Sequence, residues 1–264
     1  MTISLGFSPC PNDTFIFDAM VNGLIDTGNL EFNVVMEDVQ TLNEWAMSGK
    51  LDCTKISYGV YPLVQEQYKL LESGGALGTG VGPLLISRQQ IALEDIPKLL
   101  IAIPGKNTTA HLLFSMAFPQ AQQKEFMVFN SIEQAVLDGR VDAGVIIHEN
   151  RFTYADKGLH KLVDLGEYWE KKLNCPIPLG GIVAKKTISH NHVSQIDALI
   201  KASIEYSWQQ YPRLSDFIRL HSQEMNEEVM RQHINLYVNE YSLALGNKGH
   251  AAVNQLMATY ASLF

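Results

Sequence analysis

The sequence predicts an α/β protein built as two similar lobes with a binding cleft between them. An internal repeat leads to this prediction: residues 42–57 and 132–148, about ninety residues apart, share one pattern. Each copy has a short amphipathic helix, a glycine at its end, an aspartate and an apolar strand. A further strand and helix start precede each copy. This strand–helix–strand order is typical of parallel sheets, so we expect one such unit in each lobe.

Two glycine- and proline-rich stretches mark the expected lobe boundaries. Residues 78–83 lead into one apolar strand, and residues 176–181 lead into another. Such stretches are typical of a chain that passes from one structural unit to the next. We therefore expect a smaller lobe inserted into a larger one, with residues 1–87 and 181–264 in lobe 1 and residues 88–180 in lobe 2.

The residues from 190 onward form a helical segment, because their apolar side chains recur at helical spacing. Asn226 is expected to cap one helix, whose first turn is acidic, and Gly246 is expected to end it. We interpret the apolar stripes as packing contacts, and we expect this segment to pack on lobe 1.

The composition excludes several functional classes. The net charge of -8 argues against nucleic-acid binding, which requires a basic surface. No apolar run approaches the ~20 residues that span a bilayer. The first ten residues hold no lysine or arginine, so no signal peptide is expected, and three cysteines without a C-x-x-C spacing favour a reducing compartment. We predict a cytoplasmic protein that binds a small anionic metabolite, without a nucleic-acid or membrane partner; the oligomeric state is left open.

The loop after the first strand is the most unusual segment of the chain. It contains two prolines, and Asn12, Asp13 and Thr14 can each cap the helix that follows. A helix that starts at the carboxyl end of a strand favours anion binding, although plain capping explains each of these residues equally well. Cys10 lies near the same helix end, which lowers a thiol pKa, but a passive small residue is the preferred interpretation.

The equivalent loop of lobe 2, residues 104–111, combines a glycine with hydroxyl side chains at a helix start. These groups can hold a carboxylate or a hydroxyl, whereas the missing G-K-[ST] motif argues against nucleotide phosphates. The group that binds a substrate carboxylate is left open between Lys106, Arg151 and the two helix starts.

His148 is the sharpest candidate for proton transfer, because it ends an apolar strand beside the expected cleft and imidazole titrates near neutral pH. The alternative is a hydrogen-bonded structural histidine. Lys55 and Ser57 hold the equivalent place in lobe 1. His190 and His192 have no acidic or cysteine ligand pattern around them, and no dinucleotide motif follows a strand, so we expect neither a metal nor another cofactor.

Four segments carry a family resemblance: residues 8–17 (SPCPNDTFIF), 55–57 (KIS), 107–110 (NTTA) and 145–150 (VIIHEN). Together they resemble the 1,4-dihydroxy-6-naphthoate synthases of the futalosine route to menaquinone, over the whole chain length. The resemblance implies a type 2 periplasmic-binding-protein-like fold. It also implies a lyase that splits cyclic dehypoxanthine futalosine into 1,4-dihydroxy-6-naphthoate and a three-carbon sugar fragment.

The same resemblance implies roles for individual residues, with His148 as the proton acceptor. Three alternatives stay open: a chorismate dehydratase of the same route, a receptor that binds a small anion without catalysis, and a ligand-sensing regulator. The implied substrate contacts, extended by four neighbours in the two loops, are Lys55, Ile56, Ser57, Thr109 and Ala110, with Asn12, Thr14, Asn107 and Thr108.

Overall fold

The structure is a computed structural model that describes residues 1–222 and 226–264. Its strands are β1 (Thr2–Phe7), β2 (Glu31–Met36), β3 (Cys53–Ser57), β4 (Tyr68–Leu70), β5 (Ala76–Gly78), β6 (Leu84–Ser87), β7 (Ile101–Ile103), β8 (Lys124–Phe126), β9 (Ala143–Ile146), β10 (His160–Asp164) and β11 (Ile177–Lys185). Its α-helices are α1 (Pro11–Val21), α2 (Val39–Met47), α3 (Tyr61–Val64), α4 (Thr109–Ala117), α5 (Ile132–Leu137), α6 (Asn150–Thr153), α7 (Leu165–Leu173), α8 (His190–Gln210), α9 (Asp216–His221), α10 (Glu227–Tyr237), α11 (Glu240–Leu243) and α12 (Gly246–Leu263).

The strands form two mixed sheets. The first sheet has the order β2-β1-β3-β11-β4, and β5 also pairs with β11. The second sheet has the order β10-β6-β9-β7-β8. In each sheet one pair of parallel strands, β1 with β3 and β7 with β9, is joined to an antiparallel strand, β11 and β6 respectively. Two α/β units are therefore present, as the sequence predicts.

The internal repeat corresponds to equivalent elements of the two sheets. Helix α2 leads through Gly49 into β3, and helix α5 leads through Gly139 into β9. Both glycines have a left-handed backbone, with φ of 65° and 70°, which a side chain at these positions would strain. The two copies of the repeat share their spacing because both helices end in the same backbone turn.

Sheet pairing differs from the predicted boundaries at both crossings. Residues 84–87 form β6 and pair with β9 and β10, so they belong to the second sheet, whereas the prediction assigned them to lobe 1. Residues 177–180 begin β11 and pair with β3 and β5, so they belong to the first sheet. The pairing of β6 starts directly after the first glycine- and proline-rich stretch, whereas the pairing of β11 starts inside the second stretch, at Ile177. The lobe division itself stays a prediction.

Helices α8, α9 and α10 pack against α1, which shares an apolar core with β1 of the first sheet, whereas α12 contacts α4 and β11. Asn226 caps α10 as predicted, since its side chain accepts a hydrogen bond from the Glu228 N–H at 2.8 Å. Gly246 does not end that helix: α10 stops at Tyr237, where Asn239 caps a new short helix, and Gly246 begins α12. Within the described residues no helix has the length and apolar character needed to cross a membrane.

Candidate active site

A cavity opens where elements of both sheets meet. It encloses about 670 Å³ of empty space, part of it open to solvent, which suits a small organic molecule. Its polar wall comes from the β1–α1 loop, the end of β3, the start of α4, the residues after β9, and α10. The residues that line it are Ser8, Asn12, Asp13, Val39, Lys55, Ile56, Ser57, Ala76, Val81, Pro83, Thr108, Thr109, Ala110, Ile147, His148, Leu179, Gly180, His233 and Tyr237.

Asp13 organises the wall that the first sheet contributes. Its carboxylate accepts hydrogen bonds from the backbone N–H and the hydroxyl of Ser8, at 3.1 and 2.8 Å, and from the Asn12 amide at 2.9 Å. The Lys55 ammonium lies 2.9 Å from the same carboxylate and donates to the Gly74 carbonyl at 3.1 Å. An ammonium has three donors, so one N–H of Lys55 is left for an occupant of the cavity.

Helix α1 begins differently from the prediction, which left its cap to Asn12, Asp13 or Thr14. The helix starts at Pro11, with Cys10 at the N-cap position and no side-chain cap. Proline suits the first helical position because its missing N–H would have no partner there. The Asp13 side chain is consequently free to turn back toward Ser8 and Lys55.

Two residues of this loop face away from the cavity. Thr14 is buried, and its hydroxyl donates to the carbonyls of Cys10 and Pro11 at 3.1 and 3.3 Å, within its own helix turn. The thiol of Cys10 is buried as well, and this burial raises its pKa well above the ordinary value. Burial therefore outweighs the positive helix end, and the passive interpretation of Cys10 agrees with the structure.

The start of α4 forms the opposite wall. Thr108 caps this helix by accepting from the His111 N–H, and the first N–H groups of a helix have no partner within the helix. The Thr109 hydroxyl accepts from the Gly59 N–H at 3.0 Å and donates to the Leu179 carbonyl at 2.8 Å. That hydroxyl is thus occupied by contacts between the two walls, and both Thr109 and Ala110 line the cavity.

Asn43 and Asn107 connect the walls at the edge of the cavity. The Asn43 amide donates to the Ser57 hydroxyl and to the Asn107 carbonyl, at 3.1 and 2.9 Å, and its oxygen accepts from the Ser57 N–H at 2.8 Å. Asn107 also donates its backbone N–H to Gln40 at 3.1 Å. Asn107 therefore contacts α2 and does not line the cavity, whereas Ser57 does and can still donate its hydroxyl proton.

His148 follows β9 after one residue, and its φ of 57° lies in the left-handed region that non-glycine residues rarely adopt. Its ring packs edge-on against Phe129, with the centroids 4.9 Å apart. Burial lowers the pKa of His148 to about 4, against a smaller opposing effect of the Asp13 carboxylate. At neutral pH the imidazole is therefore uncharged and can accept a proton from a ligand in the cavity.

Sequence reasoning missed the contribution of α10 to the cavity. His233 and Tyr237 line it, although the helical segment was interpreted as packing alone. Their spacing with Met230 and Ile234 places all four on the buried face of α10. The available signal was a histidine inside an otherwise apolar stripe. Only the fold shows that this stripe ends at the cavity.

A thiol, an imidazole and a carboxylate also come together near the cavity: one ligand-type atom each of Cys10, His148 and Glu149 lies within 4.8 Å of the others. Such a set is chemically compatible with Zn²⁺. Because burial raises the pKa of the Cys10 thiol, however, its protonated form, a poor ligand, prevails at neutral pH. The expectation that no metal takes part stays a prediction.

The predicted site residues divide into those at the cavity and those away from it. Arg151 does not line the cavity, and its guanidinium forms an ion pair with Asp164 at 2.9 Å. Thr14, Asn107 and Lys106 likewise do not line the cavity. The structure brings together His148, Lys55, Ile56, Ser57, Asn12, Thr108, Thr109 and Ala110.

Sequence comparison relates the chain to proteins of quinone biosynthesis. A family model described as menaquinone biosynthesis matches residues 3–262. A protein of Thermus thermophilus with the name 1,4-dihydroxy-6-naphthoate synthase is 42% identical over 256 residues, which cover 97% of this chain and 93% of that protein. A protein of Streptomyces coelicolor with the same name is 40% identical over 266 residues, which cover 99% of this chain and 93% of that protein.

Structural comparison confirms the predicted periplasmic-binding-protein-like fold. A crystal structure of an Archaeoglobus fulgidus protein matches with a TM-score of 0.92 and 32% identity, over 100% of this chain and 98% of that one. The periplasmic aliphatic sulphonate binding protein SsuA of Escherichia coli matches with a TM-score of 0.68 over 99% of this chain and 87% of that one. At 12% identity, this second likeness concerns the fold alone.

Proposed function

This chain belongs to the menaquinone biosynthesis family, and on that premise we propose that it is a 1,4-dihydroxy-6-naphthoate synthase. The proposed enzyme is a carbon–carbon lyase that converts cyclic dehypoxanthine futalosine to 1,4-dihydroxy-6-naphthoate and releases a three-carbon sugar fragment. The observation that carries the proposal is the position of His148 at the cavity of a chain with two relatives of that name along nearly its full length.

The proposed chemistry is a retro-aldol cleavage with His148 as the base. The imidazole takes the proton of a substrate hydroxyl, and the oxygen electrons form the carbonyl of the departing fragment. The carbon–carbon bond breaks, its electrons move into the ring system, and the ring becomes aromatic. Because aromatisation supplies driving force, the protein needs mainly positioning, one base and exclusion of water.

The polar groups of the cavity support recognition of an anionic, hydroxyl-bearing substrate. The remaining N–H of Lys55 and the start of α4 favour the carboxylate. The Asn12 side-chain oxygen is buried, has no partner among residues 1–222 and 226–264, and can accept from a substrate hydroxyl. We keep Ile56, Ser57, Thr108, Thr109 and Ala110 as substrate contacts. Thr14 and Asn107 would act through the neighbours that they hold in place.

We further propose that the enzyme works in the cytoplasm and without a cofactor. The cysteines are unpaired, which suits a reducing compartment. The cleavage transfers one proton from the substrate to His148 and redistributes bonding electrons within the substrate, so its balance requires no external oxidant or reductant.

The test is to incubate the purified protein with cyclic dehypoxanthine futalosine and to follow product by mass spectrometry and naphthoate fluorescence. His148→Asn is the informative variant, because asparagine tolerates a left-handed backbone and cannot act as the base. His250→Asn is the matched control, since His250 is an exposed histidine of α12 that contacts Glu72 outside the cavity. Chorismate serves as the alternative substrate.

Naphthoate from the wild type and from His250→Asn, with little from His148→Asn, would support the reaction and the base together. Consumption of chorismate in place of the futalosine substrate would identify the dehydratase instead. Tight binding of either compound without product would mean a receptor, and the lyase proposal would be abandoned.

A further inference from the structure

A second histidine borders the cavity, and the cleavage described above makes no use of it. His233 of α10 is fully buried and lines the cavity. Both of its ring nitrogens, Nδ1 and Nε2, are buried without a hydrogen-bond partner in the described part of the chain, residues 1–222 and 226–264. Buried polar groups in native proteins nearly always have partners, so this ring calls for an explanation.

Aromatic rings surround His233 on several sides. The ring packs edge-on against Tyr237, Phe152 and His148, with centroid separations of 4.7, 6.4 and 5.9 Å. These contacts orient the ring but supply no hydrogen bond. The same helix face carries the apolar side chains of Met230 and Ile234, so an apolar side chain at position 233 would fit that stripe without leaving polar atoms unpaired.

The ring of His233 is uncharged. Burial lowers its pKa well below the ordinary value, and the neighbouring His148 lowers it further. An uncharged imidazole has one N–H donor and one acceptor nitrogen. When His148 receives a proton, its positive charge disfavours a second cation nearby, so His233 keeps its single N–H throughout the proposed cleavage.

We propose that His233 is a further substrate-contacting residue, whose N–H donates a hydrogen bond to the substrate oxygen that gains negative charge when the carbon–carbon bond breaks. This inference rests on the proposed function. The proton of the substrate hydroxyl goes to His148, the bonding electrons move into the ring system and onto that oxygen, and His233 changes neither its charge nor its proton count. A fixed donor at such an oxygen stabilises the transition state more than the bound substrate.

The position of His233 beside His148 allows both histidines to act on the same bond cleavage. The two rings are 5.9 Å apart and both border the cavity, so a substrate bound there lies beside both. One histidine would then receive the proton while the other stabilises the electrons that the same bond cleavage releases. The partner that His233 lacks within the described protein would be supplied by the substrate.

The experiment compares His233→Phe, which keeps an aromatic ring but removes both nitrogens, with His233→Gln, which keeps a neutral donor and acceptor. Both are assayed at pH 7 with cyclic dehypoxanthine futalosine for kcat and KM, and their melting temperatures are measured. For His233→Phe we expect a melting temperature equal to or above that of the wild type. We expect its kcat to fall about 10²–10³-fold, as for the loss of one oxyanion donor, while KM changes much less. His233→Gln should recover a substantial part of kcat.

His111→Phe is the matched control for stability. His111 is also a buried histidine, but its ring nitrogens lie 2.8 Å from the Lys106 carbonyl and 3.2 Å from the Lys124 ammonium. Removing a partnered ring should lower the melting temperature, whereas removing the unpartnered ring of His233 should not.

Three outcomes would overturn the proposal: a His233→Phe variant with wild-type kcat, one that melts lower or fails to fold, and a His233→Gln variant as slow as His233→Phe. A wild-type protein that forms no naphthoate would contradict the proposed function instead. The contact is then tested with 1,4-dihydroxy-6-naphthoate, which should raise the melting temperature of the wild type more than that of His233→Phe. Equal shifts would refute it.

Discussion

The ammonium of Lys55 lies 2.9 Å from the carboxylate of Asp13, and both side chains are almost fully buried, with 6% and 2% of their surfaces exposed. Asp13 belongs to α1, and Lys55 lies in β3, which pairs with β1. The ion pair therefore ties the first turn of α1 to β3. It also holds the Lys55 ammonium at the cavity, where the Asp13 carboxylate balances its charge.

Asp13→Asn should destabilise the protein strongly, because it leaves the Lys55 ammonium buried without its counter-charge. Breaking a buried ion pair from one side costs about 3–5 kcal/mol in the free energy of unfolding. The measurement is urea denaturation at pH 7. The double variant Asp13→Asn/Lys55→Met should recover part of that loss, because no unpaired charge is left buried. A single variant as stable as the wild type would show that water already compensates this ammonium.

His148→Asn should lose most of its turnover while it keeps ligand binding. General-base catalysis contributes about 10²–10⁴-fold, and asparagine removes the base while it tolerates the left-handed backbone at this position. The checks are kcat for the futalosine substrate and the melting-temperature shift caused by 1,4-dihydroxy-6-naphthoate. A variant with wild-type kcat would move the base to another residue.

The value of kcat/KM should start to fall with acid only at a pH far below the usual pKa of a histidine. Burial lowers the pKa of His148 to about 4. Protonation removes the lone pair that takes the substrate proton, so kcat/KM should stay constant with respect to this group from pH 8 down to about 5 and fall as pH approaches 4. An acid limb centred near 6.5 would mean that the free enzyme opens His148 to water.

Acid should also weaken the fold over a defined pH range. Burial lowers the pKa values of His148 and His111 to about 4, whereas both imidazoles titrate near 6.5 in the unfolded chain. Between these values the unfolded state binds more protons, so the stabilising contribution is complete above pH 6.5 and is lost as pH falls toward 4. Urea midpoints at pH 7, 5.5 and 4.5 test this, and His111→Phe should show a shallower pH dependence. A midpoint that is constant over this range would contradict it.

Gly59→Ala should impair the contact between the two cavity walls. A Cβ atom there would lie 2.8 Å from the carbonyl carbon of Thr108 and from the nitrogen of Thr109, and both are backbone atoms that cannot yield separately. We expect a loss of about 1–3 kcal/mol in stability together with a raised KM, because the Gly59–Thr109 hydrogen bond and the start of α4 are displaced.

The control for this variant is Gly23→Ala. Gly23 has a φ of 68° and nothing within 4 Å of the added Cβ, so that change costs stability through backbone strain alone. It should leave KM as it is in the wild type. Equal KM values for Gly59→Ala, Gly23→Ala and the wild type would show that the α4 start does not position the substrate.

Some properties of this protein are determined by patterns that are short in sequence. The alternation of strands and helices, the glycine turns at Gly49 and Gly139 and the Asn226 cap depend on neighbours within a few residues, so they could be predicted correctly. His148 could be singled out from a local pattern too, because a polar residue just past the end of a buried strand lies at the edge of a sheet, and its role as the base stays a prediction.

Other properties were decided only by the tertiary structure, because they depend on residues that are far apart in the chain. Asn43 donates to the Asn107 carbonyl, 64 positions away, and the ion pair of Asp13 needs Lys55 from β3. The sheet that β6 joins follows from its hydrogen bonds to β9 and β10, and helix periodicity identifies the buried face that carries His233 but not what that face contacts. A local pattern specifies an element and its apolar side, whereas the packing of elements decides which buried polar group reaches the cavity.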